Sequence, residues 1–331
     1  MRSFATTGHG QERAKDILLR AWAGDKISHA YLFKGLAGVG KKSVALAFAA
    51  LLNCQDPQSS DNCGQCPSCK KLASGNHPDF IEIVPDGAMI KIDQIRELKK
   101  ILTYPPLEAK TRVVFIADIH AVMSRAEVAN SLLKILEEPP ADTIFILTVD
   151  EASEVLPTII SRCQEVPFYS LTSDVILQIL LDKGVEAETA QVIALVSEGS
   201  LGRAEALAAG NLLPLRRQVV EELSRLEVSQ PECVTILLDL AASCAKLANI
   251  DEFLDLMLLW IRDLMVLRTS GPESAVLNLD LVHLYADSWD RWNLSELSDK
   301  LRLIAQAQKE LTYNCKKTAV CEILFFGLLT R

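Results

Sequence analysis

The stretch that most restricts this chain is Gly35-Leu-Ala-Gly38-Val-Gly40-Lys41-Lys42-Ser43, which satisfies G-x-x-x-x-G-K at Gly35, Gly40 and Lys41. An apolar run at 30–33 precedes it and an alanine-rich segment at 44–52 follows. A strand, a glycine turn and a helix in that order wrap backbone N–H groups around a phosphate at a helix N-terminus. The fold class this predicts is α/β, with a mainly parallel sheet covered by helices. The residue after the lysine should carry a hydroxyl for Mg²⁺, and it is Lys42. Ser43 cannot take over, because one helical step turns a side chain by about 100°. The loop is therefore suited to ATP or ADP phosphate and poorly suited to metal.

A second departure is independent of the first. Residues 112–118 form an apolar run ending in Asp118, as a fully buried parallel strand would. In phosphate-loop enzymes such an acid orients Mg²⁺. Many of these ATPases follow it with a glutamate that activates water, and here the residue is Ile119. His120 is the nearest titratable group. An aliphatic side chain takes no proton, so the two departures together predict little or no hydrolysis.

Cys54, Cys63, Cys66 and Cys69 put four thiols within the segment 54–69, two of the spacings being C-x-x-C. Structural zinc takes four soft ligands in a tetrahedron, and such knuckles supply them in pairs. The plainer alternative is a set of reduced, unligated cysteines. With zinc the site is closed and has no position for a substrate, so its role is to staple an insertion. The absence of an apolar leader and of any apolar run near the ~20 residues of a membrane span predicts a cytoplasmic, membrane-free protein. Its nine cysteines are then expected to be metal-bound or buried, not disulfide-bonded. A net charge of −9 argues against a dedicated nucleic-acid binder.

The remaining periodicities predict a helix near 10–23 and a short strand at 80–84 leading to a turn at 85–87. A helix at 93–102 would be capped by Asp93 and followed by the 112–118 strand. Ser124 and Glu127 fit a capping box that opens a helix running to Glu138. Val128, Leu132, Ile135 and Leu136 line its buried stripe, with Asn130, Lys134 and Glu137 opposite. A buried strand at 143–148 follows. From about 211 onward the helices are apolar around much of their circumference, as at 253–266, and carry no visible site chemistry. Trp260, Trp289 and Trp292 read as packing residues, and Cys233, Cys244, Cys315 and Cys321 as buried thiols.

Four features occur in order: the phosphate loop, the four-cysteine insertion, Asn130-Ser-Leu-Leu-Lys-Ile-Leu-Glu-Glu-Pro-Pro140 and Thr158-Ile-Ile-Ser-Arg-Cys163. Together they resemble the AAA+ subunits of the bacterial DNA polymerase III clamp loader, strongly over about 8–208 and weakly beyond. That family includes ATP-hydrolysing gamma/tau subunits and delta-prime subunits with degraded nucleotide motifs. Lys42 and Ile119 make the chain similar to the delta-prime kind. The resemblance implies a phosphate-loop domain at 1–167, a helical lid at 168–210 and an all-α collar at 211–331. It implies gamma/tau-like and delta-like partner subunits, the sliding clamp and, through the complex, primed DNA.

It further implies that Arg162 reaches a neighbour's ATP as an arginine finger in trans; the alternative is an ion pair inside its own domain. The resemblance also sets Arg203 near a nucleotide-sensing position. Its spacing is shifted, with Gly202 where relatives have arginine, so a surface arginine is expected. The region of Leu147, Thr148, Val149 and Asp150 departs from the threonine-rich form, so no sensor is assigned there. Two other readings stay open: an active clamp-loader ATPase, and a stand-alone nucleotide-responsive binding module.

Overall fold

The computed structural model describes residues 3–58, 61–86, 89–123, 126–150, 155–227, 230–271, 276–288, 291–313 and 315–329. The chain divides into two compact units, 1–175 with 199–202, and 176–198 with 203–331.

The first unit is built on five strands: β1 (Ala30–Lys34), β2 (Phe80–Ile83), β3 (Arg112–Ile116), β4 (Thr143–Val149) and β5 (Gln164–Pro167). Their order is β2-β3-β4-β1-β5, and every pairing is parallel. Helices α1 (Glu12–Ala23), α2 (Lys41–Leu52) and α3 (Pro67–Ala73) precede β2. Helix α4 (Ile92–Leu102) precedes β3, and α5 (His120–Met123), α6 (Ala126–Glu137) and α7 (Pro157–Ile160) complete the unit. This is the α/β class, a parallel sheet with helices. Every residue of β3 and β4 is buried, because the sheet is covered on both faces. Side chains alternate along a strand, so Tyr31 and Phe33 join the core under α1 and α2. Ala30 and Leu32 join the core under α4 and α6.

Register decides what happens at the sheet's edge. Lys34 pairs with Val149 and Ile116 with Leu147. The C-terminal ends of β1, β3 and β4 therefore run level and deliver the glycine loop, Asp118 and Asp150 to one crevice. That is where open parallel sheets bind ligands.

Local details depart from the sequence expectations. Helix α4 starts at Ile92, with Lys91 as the cap, whose N–H donates to Gln94 Oε1 at 2.8 Å. Asp93 lies inside the first turn, where a negative charge still suits the helix dipole. Val128, Leu132, Ile135 and Leu136 form the buried stripe of α6 as expected. The capping box at Ser124, the turn at Gly87 and Trp289 lie outside the described residues.

The rest of the chain is helical: α8 (Ser173–Asp182), α9 (Ala187–Val196), α10 (Leu201–Ala209), α11 (Leu212–Arg225) and α12 (Cys233–Ala245). Then come α13 (Ile250–Ser270), α14 (Val282–Ser288), α15 (Leu294–Thr312) and α16 (Lys317–Leu329). In the second unit α13 is buried on several sides, and its Trp260 meets Trp292 edge-on with ring centroids 6.0 Å apart. A buried polar network was not visible in sequence. The Asp263 carboxylate accepts from the Leu277 and Asn278 backbone N–H groups, from Asn278 Nδ2 and from the Tyr285 hydroxyl. Burial and this carboxylate hold the Tyr285 phenol far above its ordinary range. Cys233, Cys244 and Cys321 are buried, but Cys315 is exposed, contrary to expectation, in the connection between α15 and α16. No helix among the described residues is long and apolar enough to cross a membrane.

Candidate functional site

Gly40 takes a left-handed conformation, φ +103°, and caps α2. Gly35 and Gly38 are packed too closely for a side chain. A Cβ on Gly35 would meet the Phe168 carbonyl oxygen at 2.3 Å, and one on Gly38 would meet Ser200 Oγ at 2.2 Å. The loop is tied from behind as well. Ser200 Oγ donates to the Ala37 carbonyl (2.8 Å), the Gly202 N–H to the Gly38 carbonyl (2.9 Å), and Gln11 Nε2 to the Val39 carbonyl (3.3 Å). The first N–H groups of α2 have no partner within the helix, so the loop keeps the donors a phosphate needs.

Lys41 is buried and its ammonium is fully engaged. It donates to the Gly35 carbonyl, to the Val149 carbonyl at 3.2 Å and to Asp150 Oδ1 at 2.7 Å. Lys42 points elsewhere: half exposed, it pairs with Glu82 of β2. An ammonium has three donors and no acceptor, so position 42 offers no ligand to a divalent ion. Ser43 is exposed. Asp118 adopts φ +49°, and its N–H donates to Thr148 Oγ1 at 3.0 Å. Ile119 is completely buried, with its N–H on the Thr148 carbonyl at 2.8 Å. The ends of β1 and β3 thus place Gly35, Gly38, Gly40, Lys41 and Asp118 at one edge of the sheet. Thr148 and Asp150 lie at the same edge, while Gln11 braces the loop from behind and Glu82 pairs with Lys42; sequence reasoning assigned none of these four. The one available signal was that Thr148 and Asp150 flank the end of the strand next to the glycine loop.

The four cysteines converge. The Sγ atoms of Cys54, Cys63, Cys66 and Cys69 all lie within 4.8 Å of one another, so the cluster can hold a metal ion. Ligands about 2.3 Å from a tetrahedral zinc stand about 3.8 Å apart, which a small contraction of this cluster achieves. Backbone N–H groups point at the sulfurs as they do around thiolates: Cys63 to Cys54 (3.2 Å), Cys66 to Cys63 (3.3 Å) and Cys69 to Cys66 (3.5 Å). Burial pushes the Cys69 thiol up to about 12. At Cys66 burial also works upward. Hydrogen bonds from the Gln55 and Cys69 backbones and from neighbouring thiols outweigh it and bring that thiol down to about 7.

Arg162 lies just past α7. Its guanidinium pairs with Glu137 of α6 at 2.8 Å and donates to the Thr158 carbonyl at 2.7 Å, with the side chain 33% exposed. Within this chain it makes the local ion pair. Arg203 is not the surface arginine expected: its side chain is 17% exposed, with NH1 3.1 Å from a Glu198 carboxylate oxygen in the second unit.

A family model described as DNA polymerase III, delta subunit matches residues 10–172. The DNA polymerase III subunit delta' of Bacillus subtilis (strain 168) is 30% identical over 319 residues, covering 96% of both chains. The subunit delta' of Pseudomonas aeruginosa is 36% identical over 205 residues, 60% of this chain and 61% of that protein. The subunit tau of Bacillus subtilis is 39% identical over 193 residues, which is 58% of this chain but 33% of tau. Similarity that runs almost end to end with one of these proteins, over a phosphate-loop domain and a helical remainder alike, shows that the chain belongs to the DNA polymerase III delta' family.

Proposed function

We propose that the chain acts as the delta-prime-like subunit of the DNA polymerase III clamp loader. In this role it sits beside a gamma/tau-like ATPase subunit, with a delta-like subunit also in the complex. It helps load the sliding clamp onto primed DNA, hydrolyses ATP weakly or not at all, and lends Arg162 to the neighbour's ATP. The observation that carries the reading is the near-full-length kinship with a delta' subunit. A lysine at position 42 and a buried isoleucine at position 119 support the loss of hydrolysis. The four cysteines hold a structural zinc.

The Arg162–Glu137 pair does not oppose a role in trans. Both side chains are partly exposed, at 33% and 48%, and such pairs contribute about 0–1 kcal/mol. An arginine finger is worth roughly 10³–10⁵ in rate, or about 4–7 kcal/mol. Releasing Arg162 from Glu137 therefore costs little beside what the finger contributes in the transition state.

The 39% identity to tau over 193 residues favours a second reading, an active ATPase. One experiment separates the two. Steady-state ATP hydrolysis is measured on the isolated chain, and on the chain assembled with a gamma/tau-type partner, native and Arg162→Ala. The expected outcome is a silent isolated chain and a loss of about 10³-fold or more at the partner site it touches. Strong turnover by the isolated chain would establish the second reading. Unchanged partner turnover in Arg162→Ala would remove the finger.

A further inference from the structure

The phosphate loop carries its own anion. Lys41 is the residue of this loop that reaches the β- and γ-phosphates of a bound nucleotide. All three donors of its ammonium are engaged, by the carbonyls of Gly35 and Val149 and by the Asp150 carboxylate at 2.7 Å. The two carbonyls belong to the loop and its neighbouring strand, and they would serve any lysine here. The carboxylate is different, because it brings a full negative charge to the point where a phosphate has to arrive.

The placement follows from the sheet. Val149 is opposite Lys34, and the Gly35 N–H donates to the Val149 carbonyl at 3.1 Å. Residue 150 is thereby fixed directly beside the glycine loop. The Lys41 side chain is 8% exposed and that of Asp150 35%. The lysine is thus held inside while the carboxylate keeps an open side through which it can leave. The loop's shape is not the obstacle: the carbonyls of Ala37, Val39 and Gly38 are already held by Ser200, Gln11 and Gly202. What remains to be displaced is a charge.

We propose that Asp150 is an internal competitor for the nucleotide phosphate, and that it sets the affinity of this loop for ADP and ATP. A polyphosphate can reach Lys41 only by displacing the carboxylate or by lying against it, and like charges at such range repel strongly in a partly buried site. The position just after β4 thus acts as a specificity-determining residue. An anion there keeps the loop empty at nucleotide concentrations that would fill it if residue 150 were neutral. The inference rests on reading this loop as a nucleotide phosphate site, and not on the clamp-loader role or on Arg162.

The test is calorimetric titration of the isolated full-length chain with ADP in the presence of magnesium chloride. Native protein is compared with Asp150→Asn, with Asp150→Thr, and with the double variant Lys41→Ala/Asp150→Asn, each confirmed as folded by circular dichroism. Asp150→Asn keeps an oxygen for Lys41 and removes the charge; Asp150→Thr serves the same purpose if the amide does not fold. The expected result is weak native binding and a Kd at least about tenfold lower in the neutral variants. That gain should vanish when Lys41 is also replaced. Neutral variants that bind no tighter than native protein would overturn the proposal. A gain that survives the loss of Lys41, or native binding as tight as the variants', would overturn it equally. Because no partner is present, these outcomes leave the Arg162 experiment to be decided separately.

Discussion

A single carboxylate organises the turn after α4. Asp79, 1% exposed, accepts the backbone N–H groups of Leu107 and Glu108 at 2.8 Å and of Ala109 at 2.9 Å. It also meets the buried Arg112 guanidinium at 3.4 Å. Arg112 in turn donates to the carbonyls of Tyr104 and Pro105 at 2.8 Å. Burial alone would raise the Asp79 acid. The three N–H donors and Arg112 outweigh it and hold the group below the usual carboxylate range. The sign follows: a depressed folded value means that the stabilisation is complete above the unfolded value, about 3.9, and is lost as pH falls through the folded one. Asp79→Asn leaves Arg112 buried without its charge partner and should cost about 3 kcal/mol or more in urea unfolding at pH 7. The gap between variant and native protein should close as the titration is carried below about pH 4. A gap that is independent of pH would mean that Asp79 acts by shape alone. In sequence Asp79 was only a residue before a strand. Its partners lie some 30 positions away, and nothing in local pattern announces them. Asp150 and Glu82 escaped for the same reason: strand register, not spacing along the chain, brings them to Lys41 and Lys42.

The four-cysteine insertion sits at the other extreme, because everything it needs is local. Cys66 caps α3, its sulfur accepting the Cys69 N–H, and Pro67 occupies the first helical position, where a missing N–H costs nothing. The C-x-x-C spacing and the helix start are one device, so sequence alone predicted the cluster. Apolar runs at 30–33, 112–118 and 143–148 predicted three central strands equally well, since strands covered on both faces leave little else to be. The cap of α4 was misplaced by two residues because a glutamine side chain, two positions before Arg96, supplies the capping oxygen to Lys91. Metal analysis of the native protein should find about one zinc per chain. Cys66→Ser should release it, since the variant lacks one soft ligand, while the serine hydroxyl can still cap α3. Full zinc content in that variant would sink the assignment. Loss of zinc with unchanged protease resistance across 54–69 would show that the metal does not staple the segment.

At the scale of the whole molecule, the chain holds two compact units with separate polar anchors. The first unit has the α/β sheet, the cysteine cluster and Asp79; the second has α13 and the Asp263 network. Chains built this way do not have to unfold as one two-state unit. Tryptophan offers a natural reporter, because three of the four, Trp260, Trp289 and Trp292, fall in the second unit's sequence. Trp260 and Trp292 are fully packed at 0% and 1% exposure, whereas Trp22 of α1 is only half-buried. Removing metal with a chelator acts on the first unit. It should lower the urea midpoint followed by strand circular dichroism while leaving the fluorescence midpoint in place. Asp263→Asn acts on the second unit, weakening a carboxylate that holds two backbone N–H groups and a tyrosine hydroxyl. It should lower the fluorescence midpoint by the equivalent of about 3 kcal/mol, with zinc content unchanged. If each perturbation instead moves both signals together, the two units unfold as one cooperative body to which the cysteine cluster and the Asp263 network both contribute.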